Sequence, residues 1–490
     1  MMPSRKPEEK PSNKGASRRR KKDQRGIALL LVMSSITLMT IMVVEFQEEQ
    51  LADHSAAYAE RDALQAEFMA RSAANLSRLF VASEPVMRQS LGILRFLFGG
   101  KPVPQLPVWE FSDQVLGAFS DSGGRDSFAK LTGFDINGSK NLNGPEGASF
   151  QVTVVDEDSK INLNLGARGN SIALNRFGAA FLGLTGSPAY DPLFERNDRD
   201  GQTSDRATIC GALMDWADQD EQRYACDPRN FQGGTGPAGG EDSSYSLLPR
   251  PYRPKNAPYD SLDEARLVRG MGDDFWSTFV DPEPNNPKKR VMTVWGQGPL
   301  NVNTASPQAI LAVICGMAAD AQICTDAGKS SQFLTMFGVL RSFTSGMPLF
   351  GSPNEFVTTV QGGGAYGKLL FQTIGIPPVK FQSPAEAAKN FTTESKIFSI
   401  HAVGEVKSGK RLTRIKLTMV VDFRGAPPIP ASSTGLLPGG QPGAPPGQAG
   451  LQPGAQPPGA QPQSGFGGGD SFAAALQPTP AGQIVYYRIE

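Results

Sequence analysis

Histidine and cysteine are scarce in this chain of 490 residues, which holds two histidines, His54 and His401, and four cysteines. Ser–His–Asp and Cys–His nucleophilic sites need a histidine base, and zinc sites draw on histidines and closely paired cysteines. The cysteines are never spaced as CxxC. The composition therefore disfavours these catalytic sites and a zinc site, and we expect no enzymatic activity.

An excess of either charge is also lacking, since 48 basic residues face 48 acidic ones. The charges are unevenly placed. Residues 1–26 hold ten Lys or Arg and three Asp or Glu, a net charge of +7, which leaves residues 27–490 at −7. The main part of the chain is therefore not a polyanion binder by gross charge.

Glycine and proline are absent from Ile27 to Glu84, and Pro85 is the first helix breaker. Ile27 to Val44 carries no formal charge, and as a helix it would be about 27 Å long, close to the hydrocarbon thickness of a bilayer. The preceding basic run predicts a cytoplasmic amino end. The apolar run continues without a turn into an amphipathic stretch, so we predict one helix of about 85 Å. The alternative is an ordinary single-span anchor on a soluble domain.

The boundary between the basic run and the apolar run resembles a type IV prepilin signal, in which a basic leader ends in glycine, here Gly26. The family usually has Glu at the fifth mature position, and counting from Ile27 that position is Leu31. In lacking this carboxylate, the chain resembles minor pseudopilin K of type II secretion (the general secretion pathway protein K family). The resemblance implies cleavage between Gly26 and Ile27 by a prepilin peptidase, with methylation of the new amino terminus.

The resemblance also implies a function, that of a structural subunit at the tip of the pseudopilus, which supports protein export across the outer membrane. In a pilus the usual Glu neutralises the amino terminus of a neighbouring subunit, so Leu31 would suit a subunit that leads the filament. The implied partners are other minor pseudopilins in a tip complex, the major pseudopilin, secreted substrates and the outer-membrane secretin. The implied location is the bacterial inner membrane, crossed once, with the bulk of the chain in the periplasm.

A Gly-rich loop at residues 213–245 concentrates carboxylates, which supply the oxygen ligands that calcium prefers. Its spacing is not that of an EF-hand, and a solvated acidic loop is an equal alternative from the residues alone. "DWADQD", "GGEDSSY" and "RPYRPKNAPYDSLDEARLVRGM" resemble the K family, which implies calcium in this region. On that basis the predicted ligands are Asp218, Asp220, Glu241 and Asp242, with Asp215 placed on the preceding helix.

Cysteine usage fits an exported chain. In an oxidising periplasm two local disulfides, Cys210–Cys226 and Cys315–Cys324, are favoured among three possible pairings. Four reduced and buried thiols are the alternative.

Strand signals flank the middle of the chain. In "SFQVTVVDEDSK", Phe150, Val152 and Val154 alternate with Gln151, Thr153 and Val155, which predicts a half-buried strand. Residues 395–406 and 411–423 predict a hairpin joined around Ser408-Gly409, and "GQIVYYRIE" at the carboxyl end predicts a further strand. A long amino-terminal helix packed on an antiparallel sheet is the pilin arrangement, so the predicted class is α+β.

The predicted organisation places a large, mainly helical domain inside this sheet, with helix-like segments at residues 206–220, 261–280 and 306–317. The segments are a leader (1–26), the assembly helix (27–84), a first pilin-like part (85–160), the inserted domain (161–390), the hairpin (391–424), a Pro/Gly/Gln-rich segment predicted to be disordered (425–482) and the last strand (483–490).

Within residues 299–317, Asn303-Thr304 followed by Ala305-Ser306-Pro307 predicts a helix start, with a polar cap and then proline in the first turn. It resembles a helix-hairpin-helix, so a membrane-anchored DNA receptor is the main rival function, and a basic phosphate-binding patch would support it. Residues 160–330 hold 17 basic and 21 acidic side chains, a balance that argues against nucleic acid. An anchored periplasmic enzyme is a second rival, which a cleft of titratable residues would support.

Overall fold

The computed structural model describes much of the chain but not its first 16 residues or the Pro/Gly/Gln-rich segment from 428 to 478. The predicted leader (1–26) and the segment predicted to be disordered (425–482) therefore lie largely outside the described residues. The described residues are 17–90, 92, 100, 103–120, 126, 147–195, 197, 201–227, 235–284, 286–343, 347–373, 375–427 and 479–490.

Both helices and strands are present, as an α+β chain requires. The α-helices in the described residues are α1 (Ser17–Ala82), α2 (Glu84–Ser90), α3 (Ser112–Gly117), α4 (Ser171–Thr185), α5 (Asp191–Phe194), α6 (Arg206–Asp215), α7 (Asp273–Phe275), α8 (Pro307–Met317), α9 (Gln322–Thr325), α10 (Ala327–Phe343), α11 (Pro353–Val360), α12 (Gly364–Gly367) and α13 (Pro384–Ala388). The strands are β1 (Ala148–Asp156), β2 (Ile161–Asn162), β3 (Gln222–Tyr224), β4 (Thr235–Gly240), β5 (Met292–Thr293), β6 (Leu300–Asn301), β7 (Phe391–Thr392), β8 (Ile397–Ser408), β9 (Arg411–Asp422) and β10 (Gln483–Ile489).

Helix α1 is longer at its amino end than the sequence predicts. It begins at Ser17, within the basic run, and passes through Gly26 before ending at Ala82. A single glycine costs a helix only about 1 kcal/mol relative to alanine, and the flanking Arg, Lys and Leu residues are good helix formers. Pro85 does not act as a simple stop, because it lies in the first turn of α2, where a missing N–H is tolerated.

The main sheet has four antiparallel strands in the order β1-β8-β9-β10. Strands β8 and β9 form the predicted hairpin, with Ser408 opposite Arg411 at its turn. Strand β10 pairs with β9 at the edge, so the carboxyl end of the chain belongs to the sheet. The predicted inward face of β1 is buried, but Val155 on its other face is buried as well. Both faces of β1 are therefore covered at its carboxyl end.

The second half of α1 packs against this sheet at backbone distance. The helix presents alanines, the smallest side chains that keep a Cβ, and the strand opposite has Gly404. A Cβ atom added at Gly404 would overlap the carbonyl oxygen of Ala66 and lie 2.8 Å from the amide nitrogen of Ala70. Large apolar side chains on the strands fill the space around this contact. The buried alanines are Ala66, Ala70, Ala73 and Ala74.

An ion pair marks the point at which α1 meets the sheet. The carboxylate of Asp62 is buried and lies 2.6 Å from the guanidinium of Arg411, at the start of β9, and 2.8 Å from that of Arg61. Hydrogen bonds from Arg411, and then from Arg61, hold the pKa of Asp62 below its usual value. Asp62 therefore anchors the helix to the hairpin as a charged group.

The chain between β1 and β8 builds a second hydrophobic core, separate from the one between α1 and the sheet. Its longest helices are α4 and α10, and α8 starts as the sequence predicts. The Ser306 side chain caps α8 by accepting a hydrogen bond from the amide of Ala309 at 3.1 Å, and Pro307 is the first helical residue. Within the described residues this part of the chain contributes only short strand pairs outside the main sheet.

Residues 261–280, predicted to be helix-like, do not form a single helix. They contain a 3₁₀ turn at Leu262–Leu267, then the short α7, then a π-turn at Trp276–Val280. Gly270 has a φ of 81°, which breaks helical geometry, and a Cβ atom there would lie 2.5 Å from the Ile209 side chain. Tertiary contact with α6 therefore overrides the helical pattern.

A buried acidic run joins the two cores. The Asp156 carboxylate accepts hydrogen bonds from the hydroxyls of Thr304 and Ser395, each at 2.5 Å. The Asp158 carboxylate accepts from the backbone amide of Lys396 at 2.7 Å. Burial, and then the charge of Asp158, raises the pKa of Asp156 to about 7. These bonds fix the second core against the carboxyl end of β1.

Candidate functional site

The first half of α1 has the properties of a membrane-spanning segment. The large apolar side chains from Ile27 to Val44 are between 48% and 71% exposed, and none of this stretch is buried in the structure. Backbone groups in a bilayer must be satisfied within the segment, and a helix satisfies them. The hydroxyls are satisfied too, because each bonds to a carbonyl three or four residues earlier at 2.8 or 2.9 Å. These are the hydroxyls of Ser34, Ser35, Thr37 and Thr40.

The predicted processing position lies inside this helix. Gly26 and Ile27 are both exposed and helical, with the uncharged stretch directly after them. Leu31 is 65% exposed and has only apolar neighbours in sequence. The structure therefore contains a single exposed apolar helix at the amino end, as a single-pass membrane anchor would have.

A carboxylate cluster lies at the carboxyl end of α6. Asp205 caps the start of α6 by accepting a hydrogen bond from the Thr208 amide at 2.8 Å, and Asp215 is the last helical residue. A turn then brings Asp218 back toward Asp215. Strand β3 follows, and the Asp215 carboxylate accepts a hydrogen bond from the backbone amide of Tyr224 at 2.7 Å. The end of the helix and the strand are thereby joined.

The third carboxylate of the cluster comes from the neighbouring strand. Gln222 of β3 pairs with Gly240 of β4, and Glu241 is the next residue. One carboxylate oxygen from each of Asp215, Asp218 and Glu241 can be chosen so that all three lie within 4.8 Å of one another. All three residues are buried, with at most 8% of their surface exposed. This cluster is the candidate metal centre among the described residues.

Several oxygens in this cluster lack a hydrogen-bond partner within the described structure. They are Oδ1 of Asp218 and both carboxylate oxygens of Glu241. A buried polar atom without a partner costs about 1–3 kcal/mol, and more when it is charged. A cation would supply the missing partner. Calcium takes six to eight oxygen ligands with flexible geometry, so three carboxylates together with backbone carbonyls or waters fit it.

The proton affinity of the cluster reflects the same burial. Burial raises the pKa of Asp215 and Asp218 to about 7 each, and that of Glu241 to about 8. Repulsion among the neighbouring carboxylates adds to the increase for all three. Without a cation the folded site therefore favours the protonated forms, and a bound cation would favour the charged ones.

Of the four ligands predicted from the sequence, the structure brings Asp218 and Glu241 together. Asp220 lies at the rim, where its carboxylate accepts a hydrogen bond from the Gln222 amide at 2.8 Å. Asp242 is half exposed and lies 3.7 Å from the guanidinium of Arg253. Both rim charges still contribute to the raised pKa of Glu241. Asp215, predicted to lie on the helix, does lie there, but its side chain also completes the cluster.

A cavity of about 380 Å³ opens beside the cluster. Asp215 and Glu241 line it, together with Tyr224, Arg223 and Arg269. The arginines are engaged elsewhere, since Arg223 donates to Ser243 and Ser244 and Arg269 donates to Ser204 and Ser244. The cavity therefore lies directly against two of the three residues of the cluster.

The cysteines form two bonds in the structure, Cys210–Cys226 and Cys315–Cys324. The first joins α6 to the residues after β3, beside the carboxylate cluster. The second joins α8 to α9. The histidines are far apart in sequence and setting: His54 is exposed on α1, and His401 lies on β8 between the hydroxyls of Ser399 and Thr418, each 3.4 Å away.

Comparison with known proteins gives similarity among solved structures. No family model matches the chain, and no curated protein matches it. Among solved structures, it is similar to a chain in the crystal structure of the GspK-GspI-GspJ complex from the type 2 secretion system of enterotoxigenic Escherichia coli, with 15% sequence identity and a TM-score of 0.33. The match covers 56% of this chain and 75% of that one. At this identity and TM-score the comparison assigns neither a family nor a function to this chain.

Proposed function

We propose that this chain is a structural subunit of a type II secretion pseudopilus, a minor pseudopilin of the K type. The observation that carries the proposal is the division of α1 into two parts. Its first part, from Ile27, is apolar and exposed, and its second part, from Asp62, is packed on an antiparallel sheet through alanines and Gly404. The leader that ends in Gly26 and the leucine at position 31 support the same assignment.

In this proposal the chain acts by assembly and catalyses no reaction. The apolar part of α1 waits in the inner membrane and then joins a helix bundle with other minor pseudopilins. The part of the chain after α1, here called the head, includes the second core between β1 and β8. This core makes the head too wide for the middle of a filament, so the subunit caps the tip. Leu31 stands where the usual carboxylate would neutralise the amino terminus of a subunit above, and a subunit at the tip has no neighbour above it. At the tip the head would face secreted proteins and the outer-membrane secretin.

Processing at Gly26 tests the proposal. We expect the membrane-extracted wild-type protein to begin at Ile27, with a methylated amine, and we expect Gly26→Val to retain residues 1–26. The physical reason is that the proposed prepilin signal requires a residue without a side chain before the cleaved bond. Intact-mass spectrometry distinguishes the two forms directly.

Ala52→Val is the matched control, because it enlarges an exposed residue of the same helix beyond the apolar stretch. It should be processed like the wild type. A wild-type protein that keeps Met1 would contradict the pseudopilin assignment and leave Ile27–Val44 as a plain anchor.

We further propose that Asp215, Asp218 and Glu241 hold a calcium ion. The buried oxygens without partners support this, as does the oxygen-only donor set. The ion would neutralise the cluster. Asp215 already accepts a hydrogen bond from the Tyr224 amide of β3, and Glu241 directly follows β4. The site would thus tie the β3–β4 hairpin to α6.

Substituting a buried ligand tests the site. Glu241→Gln is expected to weaken calcium binding at least about tenfold, because it removes a charge from a set of three carboxylates. Isothermal titration of the metal-stripped full chain with calcium chloride measures the change.

Asp242→Asn is the matched control, since it removes the same charge from the adjacent exposed residue and should change the affinity only slightly. Equal losses from the two variants would show that calcium is held by the acidic loop in general. That result would reject the buried cluster as the site.

A further inference from the structure

The disulfide Cys210–Cys226 closes a ring that contains two of the three clustered carboxylates. The two cysteines are 16 residues apart, and Asp215 and Asp218 lie between them. Both cysteines are at most 2% exposed, so the bond belongs to the interior. The ring therefore restricts the positions of these carboxylates more closely than the open chain would.

Helix α6 and strand β3 touch at backbone distance directly beside this bond. A Cβ atom added at Gly211, the residue after Cys210, would lie 2.6 Å from the carbonyl oxygen of Tyr224. The amide of the same tyrosine donates to the Asp215 carboxylate at 2.7 Å. Cys226 follows two residues later. The disulfide, the Gly211 contact and the Asp215 hydrogen bond thus together fix the position of β3 along α6.

The position of β3 also decides where the third carboxylate lies. Gln222 pairs with Gly240, so the position of Glu241, the next residue, depends on that of β3. Asp215 belongs to α6, and Asp218 follows it after one turn. The gap between Glu241 and the other two carboxylates is therefore set by the contact between α6 and β3. Repulsion among the three carboxylates acts to open that gap.

We propose that the Cys210–Cys226 disulfide is the positioning element of the carboxylate cluster, so that calcium affinity depends on this bond and is independent of Cys315–Cys324. The proposal rests on the calcium site proposed above. The physical reason is preorganisation: the bond holds β3 against α6 before the ion arrives, so less ordering remains to oppose binding. The second disulfide joins α8 to α9 and encloses none of the clustered carboxylates.

The test compares two double variants of the full chain by isothermal titration with calcium chloride. Cys210→Ala/Cys226→Ala is expected to bind calcium about 10- to 100-fold more weakly than the wild type, the loss typical of removing a group that orients metal ligands. The matched control, Cys315→Ala/Cys324→Ala, also lacks one disulfide and is expected to keep the wild-type affinity. Equal affinities in all three proteins, or equal losses in both variants, would overturn the proposal.

A second measurement uses the wild-type protein alone and does not require a variant to fold. Dithiothreitol passes two electrons and two protons to a disulfide, giving two thiols, and itself closes to a cyclic disulfide. By linkage, a bond that strengthens calcium binding is strengthened by calcium to the same degree. Calcium is therefore expected to lower the equilibrium reduction of Cys210–Cys226 about 10- to 100-fold, and to leave Cys315–Cys324 in the same molecules unchanged.

Thiol alkylation followed by peptide mass spectrometry reads both bonds at once. A calcium effect on both bonds, or on neither in a protein that binds calcium, would overturn the positioning role and leave the calcium site standing. A wild-type protein that does not bind calcium in the titration would overturn the proposed site, and the positioning role with it.

Discussion

Replacing Gly404 with alanine is expected to lower the free energy of unfolding by about 1–3 kcal/mol, the range for overpacking a filled core. The added Cβ would meet the backbone of α1 at Ala66 and Ala70. A long side chain could rotate away from such a contact, whereas a helix backbone can yield only by moving the whole helix. The helix would therefore be displaced from β8, and the alanines around the contact would lose their packing. Urea denaturation of the detergent-solubilised full chain measures the change.

Gly338→Ala is the matched control, because a Cβ atom there meets nothing within 4 Å and the residue lies in α10. It should be neutral or stabilising by about 0.5–1 kcal/mol, since alanine is the better helix former. If Gly404→Ala is no less stable than Gly338→Ala, then the close approach of α1 to the sheet is not what holds the helix.

Calcium is expected to stabilise the protein little at about pH 5 and strongly at about pH 8. Asp215 and Asp218 have a pKa near 7, and Glu241 has one near 8, all above the ordinary value of about 4 for an unfolded chain. The unfolded chain therefore loses its protons first as the pH rises. Without calcium, these groups lower the stability between about pH 4 and pH 8. Calcium reverses this trend by favouring the charged forms.

The measurement is the thermal midpoint with calcium minus the midpoint with a chelator, taken across the pH range. At a free calcium concentration of 100 times Kd, binding adds about 2.7 kcal/mol to the stability. Taking the difference removes the contribution of Asp156, whose pKa is also near 7 but which lies at the junction of the two cores. A difference that is flat with pH, or that shrinks as the pH rises, would contradict the raised pKa values of the cluster.

The sequence could predict the parts of the fold that depend on residues close together in the chain. The absence of glycine and proline after Gly26 indicated the long helix, and alternation indicated β1 and the hairpin. Ser306 caps α8 because a cap depends on residues only three positions away. The contact of Gly404 with Ala66 could not be predicted, since it joins residues far apart in the chain. The same holds for Gly270, whose contact with Ile209 interrupts a helical pattern.

The candidate site was likewise predictable only in part from the sequence. Acidic density pointed to Asp218 and Glu241, but it could not separate them from Asp220 and Asp242, which adjoin the same turn and strand. The separation depends on the pairing of β3 with β4 and on burial, which leave the rim pair with partners of their own. A signal for Asp215 was present, because it lies three residues before Asp218, the spacing at which side chains share one face of a helical turn.

As the proposed membrane anchor, helix α1 would also act as a rigid arm. About 17 residues separate Val44 from Asp62, so when the apolar part spans a bilayer, the head is held about 25 Å beyond the hydrocarbon edge. The helix has no break along this length. A tilt of about 20°, ordinary for a membrane helix, would therefore swing the head sideways by roughly 14 Å measured from the bilayer midplane. Small rotations of the helix inside a membrane would thus become displacements of more than about 10 Å at the sheet, which α1 meets at the Asp62–Arg411 ion pair.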